Sequence, residues 1–197
     1  MKPAVLLFDL GGVLLENVGF ERFNALLAAP IPAEELKTRW LMSPAVRAFE
    51  SGRCSAGVFA RDVVDEWKLP LSPEDFLEAF TYWPVGLYPG APELLAALRE
   101  HYFVACLSNS NEVHWRRFDG FRGHFDLALS SHLIGEVKPD PQCFETARQA
   151  CRATAGEVAF FDDSITNVTA ARALGFAAFH VDGLEEVRRV VADMGWL

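Results

Sequence analysis

Ala4-Val5-Leu6-Leu7-Phe8-Asp9-Leu10-Gly11-Gly12-Val13 is the stretch that decides the fold of this 197-residue chain. Ala4 to Phe8 is a continuous apolar run with the length and content of a strand buried on both faces. It ends in one carboxylate, Asp9, followed by two glycines. Open α/β sheets bind ligands outside the carboxyl ends of their strands. Asp9 therefore stands where a ligand would sit, and Gly11-Gly12 would let backbone N–H groups approach it closely. Read alone, the stretch also fits a strand that ends in an Asp-initiated turn.

The rest of the chain extends the pattern. Further apolar runs occur at Phe103–Leu107, Asp126–Ser130, Val158–Phe161 and Ala177–Val181. They alternate with helical patterns near Ala91–Glu100, Asn111–Phe118, Pro141–Arg152, Ser164–Leu174 and Leu184–Met194. Such alternation predicts an α/β fold, a Rossmann-like parallel sheet with helices on both faces.

Between Asn17 and Trp83 only helical periodicity is found. Phe20, Phe23, Leu26 and Leu27 suit one helix, and Pro32–Leu41 a second with Glu34 and Glu35 in its first turn. Pro44–Phe49 makes a third, Ser55–Trp67 a fourth with Ser55 as N-cap, and Ser72-Pro73 opens a fifth. The expected organisation is a core of residues 1–15 and 87–197, with residues 16–86 inserted as a helical unit. Pro84, Pro89 and Gly90 mark the second junction.

Bulk properties exclude several classes. A net charge of −9 makes nucleic acid an unsuitable partner. No apolar run reaches the length needed to cross a membrane. Met1-Lys2-Pro3 leads straight into the first strand, without the pattern of a signal peptide. Cys54, Cys106, Cys143 and Cys151 form no CxxC pair and have no His at metal-binding spacing. Reduced thiols in a cytoplasmic protein are expected.

The chemistry collects at strand ends. Asp9 follows the first run, Ser108-Asn109-Ser110-Asn111 the second, and Asp162-Asp163-Ser164 a later one. Gly135-Glu136-Val137-Lys138-Pro139 puts a Lys in a loop just before a helix start. The carboxylates suit Mg²⁺, which takes oxygen ligands and often bridges protein to phosphate. Two adjacent carboxylates repel without a cation. The Ser hydroxyl and Lys ammonium suit phosphate oxygens.

Phe8-Asp9-Leu10-Gly11-Gly12-Val13, Leu107-Ser108-Asn109, Lys138-Pro139 and Phe161-Asp162-Asp163 resemble, as a set, the four motifs of the haloacid dehalogenase superfamily, which is mostly phosphatases. The chain looks most similar to the bacterial branch that includes sugar-1-phosphate phosphatases and the phosphatase domain of soluble epoxide hydrolases. The resemblance implies a Mg²⁺-dependent phosphatase that hydrolyses a small phosphorylated metabolite, such as a sugar phosphate, through an aspartyl-phosphate intermediate. Residues 16–86 then correspond to a helical cap over the active site.

The resemblance also implies roles. Asp9 is the nucleophile. Metal ligands are Asp9, Asp163 and the Gly11 carbonyl, with Asp162 either a further ligand or an orienting partner. The plainer role for Asp162 is to cap the helix that starts near Ser164. Ser108 and the N–H of Asn109 hold the phosphoryl group, and Lys138 neutralises charge. Leu10 and Gly11 line the phosphate site. Asn111, His114 and Trp115 either face substrate or serve helix packing. Asn167 is expected to tie the loop by hydrogen bonds. Arg47 and Glu50 are expected on a solvated face rather than against substrate.

One departure stands out. Most phosphatases of this superfamily carry a second Asp two residues after the nucleophile, as general acid and base. Here that position is Gly11. An acidic leaving group, or a donor from elsewhere, is then required. The alternatives are a metal-independent 2-haloacid dehalogenase, which has no use for the Asp162-Asp163 pair, and a non-catalytic phosphometabolite-binding protein.

Overall fold

The computed structural model describes residues 2–117 and 120–197. In chain order the elements are β1 (Val5–Phe8), β2 (Leu15–Asn17), α1 (Gly19–Leu26), α2 (Ala33–Met42), α3 (Pro44–Glu50), α4 (Ala56–Trp67), α5 (Pro73–Thr81), β3 (Pro84–Leu87) and α6 (Ala91–Arg99). They continue with β4 (Phe103–Ser108), α7 (Glu112–Arg117), β5 (Leu127–Ser130), α8 (Ser131–Ile134), α9 (Pro141–Ala150), β6 (Val158–Asp162), α10 (Ile165–Ala173), β7 (Ala177–His180) and α11 (Leu184–Asp193). The end of the helix expected to reach Phe118 lies outside the described residues.

Five strands form a parallel sheet in the order β5-β4-β1-β6-β7. The α/β reading is therefore correct. β1 lies at the centre, with Leu7 opposite Ala105 on one side and Phe160 on the other. The chain builds outward from β1 in both directions, so the crevice beyond its carboxyl end is the switch point where ligands bind.

The unbroken apolar runs follow from burial on both faces. Leu6, Phe8, Val104, Cys106, Ala159 and Phe161 pack with α6 and α11. Their alternate neighbours Val5, Leu7, Ala105, Leu107, Val158 and Phe160 pack with α9 and α10. This is the two-residue period of a strand. Each fully buried large side chain contributes about 1.5–3 kcal/mol.

Helices α1 to α5 form a bundle with its own apolar core, built from Phe23, Trp40, Phe49, Phe59, Phe76, Phe80 and Trp83. Phe23 meets Trp40 edge-on at 5.2 Å, and Phe49 stacks on Phe59 at 4.4 Å. Ser43, Ser55 and Ser72 each accept the N–H three residues on, at 3.3, 3.4 and 3.1 Å, which starts α3, α4 and α5 where the sequence places them.

The sequence reading did not anticipate β2 and β3. They pair antiparallel, with an irregularity between Glu16 and Asn17, where the bundle joins the sheet. Glu16, Asn17, Pro84 and Gly86 give no apolar alternation, so three or four residues could not announce a strand. No helix among the described residues is long and apolar enough to cross a membrane.

Candidate active site

β1, β4 and β6 lie side by side, and their carboxyl ends bring the separate motifs together. Asp9 Oδ1 lies 2.9 Å from Nζ of Lys138, and the same Nζ donates to Asp162 Oδ2 at 2.6 Å. Lys138 is only 1% exposed and Asp162 is fully buried. One oxygen each of Asp9, Asp162 and Asp163 falls within 4.8 Å of the others. Gly12 permits this approach. Its φ is +75°, and a Cβ there would lie 2.6 Å from Asp163 Oδ2.

Asp162 is saturated. Its Oδ1 accepts from the N–H of Ser164 at 2.8 Å and from Asn167 Nδ2 at 3.0 Å. Its Oδ2 accepts from the same amide at 3.1 Å and from Lys138. A carboxylate offers about four acceptor directions, and here all four are used. Asp162 thus holds Lys138 in place and ties down the N–H of Ser164, the residue that precedes α10. Asn167 ties this loop as expected.

Charge in the cluster is unbalanced. Burial pushes the Asp9 carboxyl up to about 7, with Lys138 opposing and Asp162 and Asp163 adding to the rise. Asp163 is also raised, by burial and by Asp162, against the pull of Lys37. Burial alone would lower Lys138, but Asp162 and Asp9 outweigh it and hold the ammonium charged. Among the described residues, three carboxylates face Lys138 and one further cation, Lys37 of α2, whose Nζ sits 2.8 Å from Asp163 Oδ2. An all-oxygen cluster short of positive charge fits a hard divalent cation such as Mg²⁺. Oδ1 of Asn167, buried and without a partner among the described residues, is a spare acceptor that a water on such an ion would satisfy.

Ser108 ends β4 in the same cavity, and its hydroxyl has only a 3.5 Å contact with the Asn109 carbonyl. Asn109 clamps the lysine loop. Its Oδ1 accepts the N–H of Lys138 and its Nδ2 donates to the Lys138 carbonyl, both at 2.9 Å. Its side chain therefore serves Lys138. Leu10 and Gly11 line the cavity, and the Leu10 carbonyl accepts the N–H groups of Val13, Leu14 and Leu15, closing the turn after β1.

Asn111 is not placed as a substrate contact. It is 1% exposed, and its Oδ1 accepts the N–H groups of Val113 and His114 at the start of α7. His114 does reach the cavity. Its Nε2 lies 2.8 Å from the Phe80 carbonyl, which can only accept, so Nε2 carries the proton. Nδ1 is left to accept from Asn111 Nδ2 at 3.3 Å. Burial pulls its pKa down to about 4, although the Phe80 carbonyl works against this. His114 is a neutral bridge between α7 and the helical bundle.

The bundle closes the other wall of the cavity with Phe20, Lys37, Trp40, Glu50, Phe80 and Trp83. Here the expectation of a solvated face is corrected. Glu50 is 8% exposed and lines the cavity. Arg47 pairs with Asp140 on the core side. Val46, Phe49 and Glu50 share one helical face, so the apolar company of Glu50 was a signal in the sequence. Lys37 lies three residues before Trp40 and carried a similar, weaker signal.

A family model described as haloacid dehalogenase-like hydrolase matches residues 3–175. The chain is 23% identical over 184 residues to D-ribitol-5-phosphate phosphatase of Bacteroides thetaiotaomicron, covering 88% of this chain and 89% of that protein. It is 28% identical over 211 residues to a Mycobacterium tuberculosis protein named as a phosphatase, covering 100% and 96%. A haloacid dehalogenase family enzyme from Bacteroides thetaiotaomicron, solved with magnesium and inorganic phosphate, superposes with a TM-score of 0.69 at 24% identity over 90% and 93% of the two chains. L-2-haloacid dehalogenase from Xanthobacter autotrophicus superposes with a TM-score of 0.64 at 20% identity over 98% and 83%. The fold is thus shared by proteins of both names. With its four motifs assembled at the ends of β1, β4 and β6, and a family match spanning most of its length, the chain belongs to the haloacid dehalogenase-like hydrolases.

Proposed function

We propose that this protein is a cytoplasmic Mg²⁺-dependent phosphomonoesterase that hydrolyses a small phosphorylated metabolite through an aspartyl-phosphate on Asp9. The carrying observation is the chain of contacts Asp9–Lys138–Asp162 beside Asp163, in one cavity with Ser108. A dehalogenase that uses no metal has no need of such an acidic cluster. Sugar and polyol phosphates are the first substrates to test, given the name of the ribitol phosphate relative.

In this reading Asp9 attacks phosphorus and water later releases phosphate, so one hard displacement becomes two easier ones. Asp9, Asp163 and the Gly11 carbonyl would hold the ion. Mg²⁺, when bound, neutralises the meeting of phosphate with the Asp9 carboxylate. Ser108 and the N–H of Asn109 receive phosphoryl oxygens, and Lys138 compensates charge, each such donor being worth about 10²–10³ in rate. Asp162 and the Asn109 side chain keep Lys138 aimed. Residues 16–86 act as a cap, hinged at the β2–β3 pair, and its aromatic wall gives the C–H face of a sugar or polyol something to rest on.

The test is phosphate release from a panel of phosphorylated sugars, polyols and nucleotides, with Mg²⁺ and with EDTA. Chloride release from a 2-haloacid in EDTA, with no phosphate release under any condition, would reverse the assignment.

A further inference from the structure

Gly11 leaves the position two residues after Asp9 without a side chain, and the neighbouring space is occupied. A Cβ built there would lie 3.3 Å from Nδ2 of Asn17. Asn17 is itself held, its Oδ1 accepting the N–H of Gly19 at 2.9 Å. An amide in that place can donate a hydrogen bond but cannot surrender a proton. A side chain that gives a proton to a departing alkoxide has to stand on another wall of the cavity.

Outside the Asp9–Lys138–Asp162–Asp163 cluster, three titratable side chains among the described residues line that cavity: Lys37, Glu50 and His114. Lys37 is committed to Asp163 and Glu34, which hold its proton more firmly. His114 is a neutral imidazole with both ring nitrogens engaged. Glu50 is different. It is buried, and no ion pair is formed by it among the described residues, since neighbouring Arg47 pairs with Asp140. Trp40 is the donor side chain that acts on its carboxyl. A buried carboxyl without a paired cation favours its neutral form.

We infer that Glu50 is the proton-transfer group this active site uses in place of the missing carboxylate at position 11, its carboxyl meeting the leaving oxygen of the substrate. This rests on the phosphatase reading of the same site. In the first step Asp9 Oδ bonds to phosphorus and the bond from phosphorus to the leaving oxygen breaks. The electron pair stays on that oxygen, which takes the Glu50 proton and departs as an alcohol. In the second step water attacks phosphorus, its proton returns to Glu50, and the bond from phosphorus to Asp9 breaks. Phosphate leaves, and Asp9 and Glu50 regain their starting forms. Substrates with an unactivated alcohol as leaving group, such as polyol or sugar carbinol phosphates, are the class that needs this help.

The charge around Glu50 suits both steps. Burial pushes its carboxyl up to about 7, against the Trp40 hydrogen bond and the pull of Lys138, while Asp9 adds to the rise and Arg47 opposes it. Among the described residues, Lys37 of α2, His114 of α7 and Asp163 after β6 are the other titratable groups that line the same cavity. A group poised near neutrality can both give and regain a proton.

The experiment compares kcat/KM for an alkyl phosphate and for 2,4-dinitrophenyl phosphate, at saturating Mg²⁺, in wild type and Glu50→Gln. The amide keeps the size of the side chain and an acceptor for Trp40. Glu50→Gln should lose about 10²–10⁴-fold on the alkyl ester and far less on the activated one. Equal losses on both substrates, in a variant with an unchanged melting curve, would overturn the inference. If the variant does not fold, the wild type decides. Its alkyl-to-aryl rate ratio should fall as pH rises from about 5.5 to about 8.5, and a flat ratio overturns the inference. Absence of phosphate release from both esters in wild type would instead remove the phosphatase reading itself.

Discussion

Acidification should weaken the protein at the joint between α7 and the helical bundle, because His114 is held neutral there. Its Nε2–H donates to the Phe80 carbonyl, and its Nδ1 is occupied by an N–H donor from Asn111, so a second ring proton displaces a hydrogen bond inside the protein. The folded-state pKa is about 4, against 6.5 for a free imidazole. The sign follows from linkage: the unfolded chain binds a proton first. Stability is fully present above about pH 6.5 and is lost as pH falls towards about 4. The gap is worth about 3.4 kcal/mol in full. Between pH 7.5 and pH 5 the loss is RT ln[(1 + 10^1.5)/(1 + 10^−1)], or about 2 kcal/mol. The assay is urea unfolding of wild type and His114→Phe at the two pH values in EDTA, followed by tryptophan fluorescence. Phe preserves the ring stacked on Phe80, where the centroids are 4.2 Å apart. It forfeits the bond to the carbonyl, at a cost of about 1 kcal/mol at both pH values. The carboxylates titrate in both proteins and cancel in the difference. Wild type should therefore lose about 2 kcal/mol more than the variant on acidification. Equal losses would show that His114 titrates normally and refute the reasoning.

Three further outcomes are expected. Asp9→Asn should abolish phosphate release while its melting curve stays near wild type, because Lys138 keeps Asp162 as a partner; substantial residual turnover would unseat Asp9 as nucleophile. Asp163→Ala should remove the calorimetric signal of Mg²⁺ binding measured with inorganic phosphate present, and an unchanged isotherm would place the ion elsewhere. Gly12→Ala should lower Tm by roughly 3–8 °C, since a positive φ costs about 1–2 kcal/mol and the new Cβ would collide with Asp163. An unaltered melting curve would show that the turn after β1 relaxes freely.

Much of this architecture is local and therefore legible in sequence. Each apolar run of a central strand is buried by helices on both faces, so its pattern is unbroken and its ends are sharp. Ser55 and Ser72 announce helix starts because an N-cap needs only its own next three residues. Asp9, Ser108 and Asp163 could be read as site candidates because a residue at the end of a central parallel strand is delivered to the crevice by the sheet itself. The pairing of β2 with β3 joins residues some seventy positions apart, through segments with no apolar period, and no local signal marks it.

What tertiary structure decided was the direction of each polar side chain. Adjacent Asp162 and Asp163 look alike in sequence, but packing of α10 against β6 gives one a saturated shell around Lys138 and leaves the other facing Lys37. Asn109 and Asn111 both follow β4, yet one clamps the lysine loop and the other starts α7. Glu50 was expected on the surface because charged residues are seldom buried. It is buried because its helix shares Val46 and Phe49 with the aromatic core of the bundle, and that bundle is seated over the ends of the strands. Strand and helix propensities act over a few residues, and so the sequence by itself specifies the central strands, the helices and the carboxylate that ends the first strand. The far wall of the cavity depends on how two separate hydrophobic cores meet, and that was visible only in the folded chain.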